Sequence, residues 1–311
     1  MYLKGQKSKN TCDNVINKIT AVVITHNRLH LLKECLRALE NQSYPLYRIL
    51  VVDNNSTDGT KDFLKNLGSS KFIIFRLNKN TGASGGFYHG IKEGYSTGAD
   101  FLWIMDDDAV PKEDALLRLI EGYDLLKEKN ERIKFLSSNV FWINGELAKM
   151  NVPKTEKTWN KYLKYGIVEI KSTSFVSFFI SRDVVKEIGL PIKEFFIWLT
   201  DVEYSSRETK DYSKGFIIGE SEVIHKVSKN IEAEYGNINK DNILKFKYFS
   251  RNQVYLIRTR KKLLINKIKL LASLFFQLIK VLFSGNFKYF PILFWYFLKG
   301  FCFNPEIEYV D

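Results

Sequence analysis

The sequence predicts an α/β fold built on a largely parallel, doubly wound sheet. Three observations carry that expectation. Short apolar, β-branched runs alternate with segments of helical spacing from residue 19 to residue 130. The run FLWIM (101–105) is apolar throughout, as a strand covered on both faces requires, and it ends abruptly in Asp106, Asp107 and Asp108. Beyond residue 240 the alternation stops, and Leu, Phe and Lys recur at helical spacing instead.

The first strand is ITAVVITH (19–26). Asn27 stands where a helix N-cap would, and Leu29, Leu32, Leu36 and Leu39 place the following helix's apolar face on the sheet. Tyr44-Pro45 ends that helix, because the residue before proline is pushed out of the α region. RILVVD (48–53) and KFIIFRL (71–77) are the second and third strands, separated by the turn-rich NNSTDG and a short helix. A glycine-rich turn, NTGASGG (80–86), leads into a helix and then into the strand before the three aspartates. KEDALLRLIEGYDLLKEKN is a clear helix, and KFLSSNVFWING is expected to pair in the sheet. Residues 151–170 read as an irregular aromatic loop, TSFVSFFISRDVVKEIG as a strand with a short helix, and GFIIGESEVIHKV as a closing strand or hairpin. Three segments follow: a polar N-terminal stretch 1–18, a nucleotide-binding and catalytic domain 19–235, and a basic amphipathic helical region 236–311.

At 311 residues the chain exceeds an average domain without requiring two full ones. Residues 1–18 hold no apolar core of a secretory signal, and Cys12, Cys35 and Cys302 lack metal or redox spacing, so a reduced cytoplasmic setting is expected. The net charge of +12 is unevenly placed: residues 240–300 hold ten Lys and three Arg against Asp241 alone and carry all of it. Two charge-free decamers, LLASLFFQLI and YFPILFWYFL, lie in that stretch, bracketed by Lys267, Lys269, Lys280, Lys288 and Lys299. Each is shorter than the ~20 residues of a membrane span. Aromatic helices flanked by lysine suit the headgroup zone of an anionic membrane; the alternatives are an ordinary core-packing pair or a homo-oligomer interface. Nucleic acid is not expected as a partner, since the stretch is apolar and lacks a binding motif.

Three acids on one loop repel unless a cation holds them, and Mg²⁺-type sites combine one or two carboxylates with substrate phosphates. Asp53 ends the second strand, where an acid either bonds a nucleotide's ribose or base or simply serves a turn. The glycines of NTGASGG allow close backbone approach to a ligand, and a helix N-terminus there would present N–H groups to phosphate. It is neither a P-loop nor a dinucleotide fingerprint. In WLTDVEY, Asp201 and Glu203 are candidate carboxylate bases, and the flanking FFIWL would limit water and raise the carboxylate pKa. His225, in VIHK, joins imidazole to carboxylates, a set that suits a transition metal.

Together these motifs resemble glycosyltransferase family 2, the inverting enzymes of GT-A fold. TAVVITHNR, VVDNNSTDG and MDDDA match it in order. NTGASGGF, FLWIMDDDA, FFIWLTDVEY, VIHK and FKYFSRNQVYL are similar to galactofuranosyltransferases and rhamnosyltransferase-like bacterial proteins over residues 19–260. The resemblance implies a Rossmann-like, mainly parallel mixed sheet flanked by helices; the Lys-flanked apolar decamers add the expectation of a C-terminal helical, membrane-associating extension. It implies that Thr25, Arg28, Asp53, Asn80 and Asp106 hold the nucleotide, that Asp106, Asp108 and His225 hold Mn²⁺ or Mg²⁺, and that Asp201 is the base. Trp198 and Glu203 are expected at the acceptor.

The expected activity is transfer of a sugar, galactofuranose first, from a UDP- or dTDP-linked donor to a lipid-linked or polysaccharide acceptor at the inner membrane face. Rhamnosyl or hexopyranosyl transfer is the alternative within the family. A non-catalytic nucleotide-sugar-binding protein is the alternative outside it, and the intact Asp106–Asp108, Asp201 and His225 argue against that reading. A nucleotidyltransferase would leave Asp201 without a task. Galactofuranosyltransferases often carry paired acids where this chain has Thr200-Asp201, which leaves the donor sugar open.

Overall fold

The computed structural model describes residues 17–231, 234–259, 267–283 and 285–311. Cys12 and most of the polar N-terminal stretch lie outside them. The four strands expected first are all present: β1 (Ile19–Thr25), β2 (Arg48–Asp53), β3 (Phe72–Arg76) and β4 (Phe101–Asp106). They run parallel in the order β3-β2-β1-β4, with Thr25 beside Asp53 and Ile24 beside Asp106. That register puts the polar ends of β1, β2 and β4 along one carboxyl edge, where doubly wound sheets place their ligands.

The helices between these strands are α1 (Leu29–Glu40), α2 (Thr60–Lys65) and α3 (Gly82–Ser96). Side-chain alternation along β1 divides the interior. Ile19, Ala21 and Val23 pack with Leu32, Leu36 and Leu39 of α1 on one face, whereas Val22 and Ile24 pack with Phe87 and Ile91 of α3 on the other. Asn27 is not the cap of α1. It takes a positive φ of 54°, Arg28 occupies the cap position, and Asp58 accepts from the Leu29 N–H at 3.0 Å. The Asn27 side chain instead accepts from the Thr57 N–H at 2.7 Å, tying the first turn to the second.

Past β4 the sheet becomes mixed. β5 (Ala109–Pro111), α4 (Ala115–Glu128) and β6 (Ile133–Trp142) follow, then β7 (Lys154–Thr155) and β8 (Ile167–Ser172). The 151–170 stretch expected as loop thus contributes one very short strand and most of a second. β9 (Phe178–Ser181) runs antiparallel between β4 and β6 and is followed by α5 (Arg182–Ile188). After α6 (Thr200–Ser205), the strand β10 (Lys214–His225) runs parallel to β6 and antiparallel to β8 and β5. Its last residue, His225, pairs with Ala109, bringing the chain back beside the triple aspartate.

α7 (Ile243–Thr259), α8 (Lys267–Phe283) and α9 (Phe290–Cys302) enclose a separate small core around Phe246, Leu274, Leu278, Leu293 and Phe297. Gly300 permits the closest crossing, since a Cβ there would lie 2.7 Å from the Arg251 carbonyl and 2.5 Å from Val254 Cβ. Among the described residues no helix is long and apolar enough to cross a membrane. The last residues return to the α/β part, where Glu308 bonds Tyr88 and Lys92 on α3 and its carbonyl accepts from Leu190 N–H at 2.7 Å.

Candidate active site

Asp106 closes β4, and Asp107 and Asp108 form the tight turn into β5. Asp107 is fully buried, accepting from Thr25 Oγ1 at 2.6 Å and facing Arg28 Nη2 at 2.5 Å. Asp108 faces Arg28 Nη1 at 2.6 Å. Thr25 and Arg28, expected at the nucleotide, therefore also serve this loop: one hydroxyl donates to Asp107, and a single guanidinium is shared between Asp107 and Asp108. Asp106 is half-buried and has no ion-pair partner among the described residues.

Burial pushes the Asp106 carboxyl up to about 7, with Asp108 adding to the rise. Burial likewise lifts Asp107 to about 6, against the pull of Arg28 and Thr25. Burial acts upward on Asp108 too, but His225 and Arg28 together hold it below its ordinary value. The loop thus keeps one acid charged by pairing and leaves Asp106 short of a cation.

His225 supplies the test of whether a divalent ion fits. Its Nδ1 stands 2.7 Å from Asn151 Oδ1, and Asn151 Nδ2 donates to Ser174 Oγ at 2.7 Å, which turns the amide oxygen toward the ring. The ring therefore donates through Nδ1 and directs Nε2 at Asp108 Oδ1, 3.3 Å away. That carboxylate oxygen is buried without a hydrogen-bond partner. His225 Nε2 and the buried Asp108 Oδ1 are two donors of the kinds that Mn²⁺ or Mg²⁺ accepts, and Asp106 stands beside Asp108 in the same loop. Among the described residues no three acidic, His or Cys side chains converge as a complete site, so an ion here would draw its remaining ligands from phosphate and water.

The two remaining nucleotide candidates are committed to the protein frame. Asp53 is fully buried, ion-paired with Arg76 and accepting from Ser56 N–H at 2.8 Å. Asn80 accepts from Gly82 N–H at 2.8 Å and lies 3.0 Å from His26 Nε2. Asp53 shapes the carboxyl edge from within, whereas Asn80 is exposed on it. The glycine-rich turn does not present a free phosphate cradle: Ser84 N–H donates to the Phe196 carbonyl at 3.1 Å. Gly82 has φ +73°, and a Cβ there would sit 2.1 Å from the same carbonyl. Gly82 lets α3 meet the Phe196 loop, while Gly85 and Gly86 give room to Thr81 and to Ile24 of β1.

That loop, Phe196–Leu199, carries the candidate base. Phe196, Trp198 and Leu199 all have positive φ, 66°, 62° and 68°. Such conformations cost roughly 1–3 kcal/mol each in non-glycine residues and persist only where surroundings enforce them. Immediately after, Asp201 sits in the first turn of α6, its Oδ1 accepting from Val202 N–H at 2.8 Å. Burial raises its carboxyl to about 6, against the backbone N–H groups that favour the charge, as the apolar flanks suggested. Ser84 Oγ and Thr200 Oγ1, 2.5 Å apart, tie this turn to α3.

Trp198 is half-buried, edge-on to Phe246 and Phe249 of α7. Glu203, expected at the acceptor, is instead 2% exposed and clasped by Arg207 through Nη2 at 2.8 Å and Nε at 3.1 Å. The cause is helical spacing: i and i+4 bring the two side chains together inside the domain. Asn151, Arg76, His26, Arg251 and Asn252 were missed by sequence reasoning. His26 and the Arg-Asn pair lay within recognised motifs, but all five act through partners distant in sequence.

The edge thus defines a class of protein: a doubly wound α/β fold with an acidic loop at the carboxyl edge of its sheet and a separate desolvated carboxylate. The sequence model of glycosyl transferase family 2 matches residues 20–188, and the chain belongs to that family. It is 26% identical over 200 residues to the glycosyltransferase AglE of Haloferax volcanii, the match covering 61% of each chain. It is 32% identical over 100 residues to the galactofuranosyltransferase GlfT1 of Mycolicibacterium smegmatis, 32% of each chain. The matches therefore span about three fifths of the first relative and about one third of the second. Among solved structures it is similar to S. aureus TarS 1-349 in complex with UDP-GlcNAc, at TM-score 0.57 and 13% identity, over 91% of this chain and 81% of that one. It is also similar to GalNAc-T7 with UDP, GalNAc and Mn²⁺, at TM-score 0.57 and 16% identity, over 77% and 48%. These neighbours establish the GT-A fold.

Proposed function

We propose that this chain is an inverting hexosyltransferase that uses a divalent cation and moves a sugar from a nucleoside-diphosphate donor to a lipid-linked or polysaccharide acceptor. The observation that carries this reading is the separation of two acidic elements. The Asp106–Asp108 loop, with Arg28 and His225, is built for positive charge and phosphate. Asp201, on its own strained loop, is desolvated and free of any cationic partner among the described residues. An inverting displacement needs both parts.

Asp201 accepts the acceptor hydroxyl's proton as that oxygen bonds to the anomeric carbon. The bond from that carbon to the diphosphate breaks, and the electron pair leaves with the nucleoside diphosphate. Arg28, whose side chain is 39% exposed beyond its two aspartates, lies where the departing charge collects. A divalent ion bound by Asp106, Asp108 and His225 would supply Lewis-acid stabilisation of that leaving group. Thr25 and the Asp53–Arg76 and Asn80–His26 pairs shape the nucleotide's edge, and Trp198 offers an aromatic face at the acceptor side.

Galactofuranose from UDP-galactofuranose is the donor sugar we favour, on the GlfT1 similarity, with rhamnosyl or hexopyranosyl transfer as the alternative. A relative from Campylobacter jejuni, 32% identical over 113 residues, is named as acting on an undecaprenol-linked glycan, which supports a lipid-linked acceptor. The α8–α9 pair supports a peripheral site of action at the inner membrane face: Phe276, Phe283, Phe287 and Trp295 are 63, 85, 63 and 56% exposed among lysines. A hydrolysis screen across UDP- and dTDP-sugars, with Mn²⁺, Mg²⁺ or EDTA, tests the activity. Cation-dependent release of UDP or dTDP from one donor is expected; full turnover in EDTA would remove the metal, and no release from any donor would remove the transferase.

A further inference from the structure

We propose that Arg251 and Asn252 on α7 are positioning residues for the transfer reaction, forming a latch that holds the strained Phe196–Leu199 loop and thereby sets the place of Asp201. The inference rests on Asp201 being the base, and its geometry is independent of which sugar is moved.

Asn252 is fully buried, and its amide is oriented from both ends. Arg251 donates to its Oδ1 through Nε at 3.1 Å and Nη2 at 2.9 Å. That leaves Nδ2 facing the loop, where it reaches the carbonyls of Phe195, Ile197 and Trp198 at 3.1, 3.3 and 3.1 Å. Arg251 Nη2 also donates to the Glu194 carbonyl at 2.6 Å. One side-chain pair therefore binds four of the five carbonyls from residue 194 to residue 198. Three converging carbonyls repel one another; the amide nitrogen at their centre shares its two hydrogens among them, and the Phe195 carbonyl also accepts from Ile197 N–H at 2.8 Å.

The same face of α7 grips the loop's side chains. Phe196 stacks on Tyr248 at 4.7 Å, and Trp198 stands edge-on to Phe246 at 5.1 Å and Phe249 at 5.5 Å. Residues 245, 248, 249 and 252 share one helical face, so a rigid element backs the whole turn. On the opposite side Ser84 holds the turn through Phe196 and Thr200. The latch is what opposes relaxation of the three positive-φ residues from the α7 side, and Asp201 follows two residues after the last of them.

The test pairs Asn252→Asp, which keeps the shape but loses the donor, with Arg251→Lys, which keeps charge but loses the two-point hold on the amide. Turnover of the nucleotide sugar that wild type hydrolyses should fall by about 10²-fold in Asn252→Asp, the scale of a small misplacement of reacting groups. UDP affinity in Mn²⁺ should be unchanged, and the acid limb of the rate profile should move toward the ordinary carboxylate range as the loop takes in water. Hydrogen exchange should quicken at residues 195–201 and stay unchanged in β1 and β4. Unchanged turnover with unchanged exchange at 195–201 would overturn the latch, as would a loss of UDP affinity in step with turnover or uniformly faster exchange. Wild type inactive on every donor would overturn the transferase reading instead, and exchange at 195–201 in the two variants would still decide the latch.

Discussion

A general base for a sugar hydroxyl has to be ionised at working pH yet basic enough to take a proton, and a carboxyl at about 6 meets both conditions better than one near 4. Asp201→Asn keeps the side chain's shape and removes the acceptor of the proton. Turnover should fall by about 10²–10⁴-fold while UDP binding persists, and the wild-type rate should decline on the acid side with an apparent pKa near 6. The sign for stability is opposite. A carboxyl raised in the folded state binds its proton more tightly there than in the unfolded chain, so stability is lost as pH rises from the ordinary carboxylate range through about 6. Asp201→Asn should therefore melt higher than wild type at pH 8 and lose that advantage at pH 4; equal melting at both would place the carboxyl in water. Glu203 behaves differently. Its removal strands a buried Arg207, which costs about 3–5 kcal/mol, so Glu203→Gln should lower Tm while each folded molecule keeps its turnover. A preserved Tm with weakened acceptor binding would return Glu203 to the acceptor site. At the cation loop, Asp108→Ala and His225→Ala should each weaken Mn²⁺ binding by calorimetry, with Asp108→Ala also freeing Arg28.

At the scale of elements, the turn between β3 and α3 and the loop before α6 behave as one part. Gly82 is needed twice, for its φ of +73° and because a Cβ would meet the Phe196 carbonyl at 2.1 Å. Gly82→Ala should therefore cost about 1–3 kcal/mol from backbone strain alone and lower turnover by displacing the Asp201 loop, measured as a fall in Tm together with a slower rate; an active, undisturbed variant would separate the two elements. This pairing shows what a sequence can and cannot carry. The four parallel strands and their helices were legible because their apolar periodicity is local, and the acidic loop and Asp201 were legible because charge ending an apolar run is conspicuous. The glycines were legible as close-approach residues, but not that the approaching partner is the loop 114 residues further on. The antiparallel β9, the Asn151–His225 contact and the Glu203–Arg207 clasp depend on tertiary pairing, which no window of sequence contains. Asn27 misled because Asp58, from the next turn, does the capping that a local reading assigns to it.

Over the whole molecule, the chain divides its charge from its chemistry: the catalytic edge is acidic, and the entire excess of +12 lies between residues 240 and 300. The helices there are neither purely core nor purely surface. Leu274, Leu278, Val281, Leu293 and Phe297 build their own core with α7, while Phe276, Phe283, Phe287 and Trp295 remain outside it. A face of that kind meets an anionic bilayer with two components. Each Lys or Arg near the surface contributes about 1 kcal/mol, screened by salt, and buried aromatic area adds a part that salt does not weaken. Co-sedimentation with phosphatidylserine-containing vesicles should therefore be strong at low salt, reduced at high salt and still measurable there. Replacing Phe276, Phe283 and Trp295 with Ser should abolish the high-salt fraction, leave the low-salt fraction largely intact and leave UDP binding unchanged, since none of the three packs in the core around Phe246. A protein that stays in the supernatant at both salts while forming a stable dimer would make this face an interface between copies. The proposed latch would give docking of α8–α9 on a bilayer a mechanical consequence, because α7 carries both Asn252 and the crossing with α9. Vesicles that hold α8–α9 in place should slow hydrogen exchange at residues 195–201 in wild type and leave it unchanged in Asn252→Asp, where the link from helix to loop is cut.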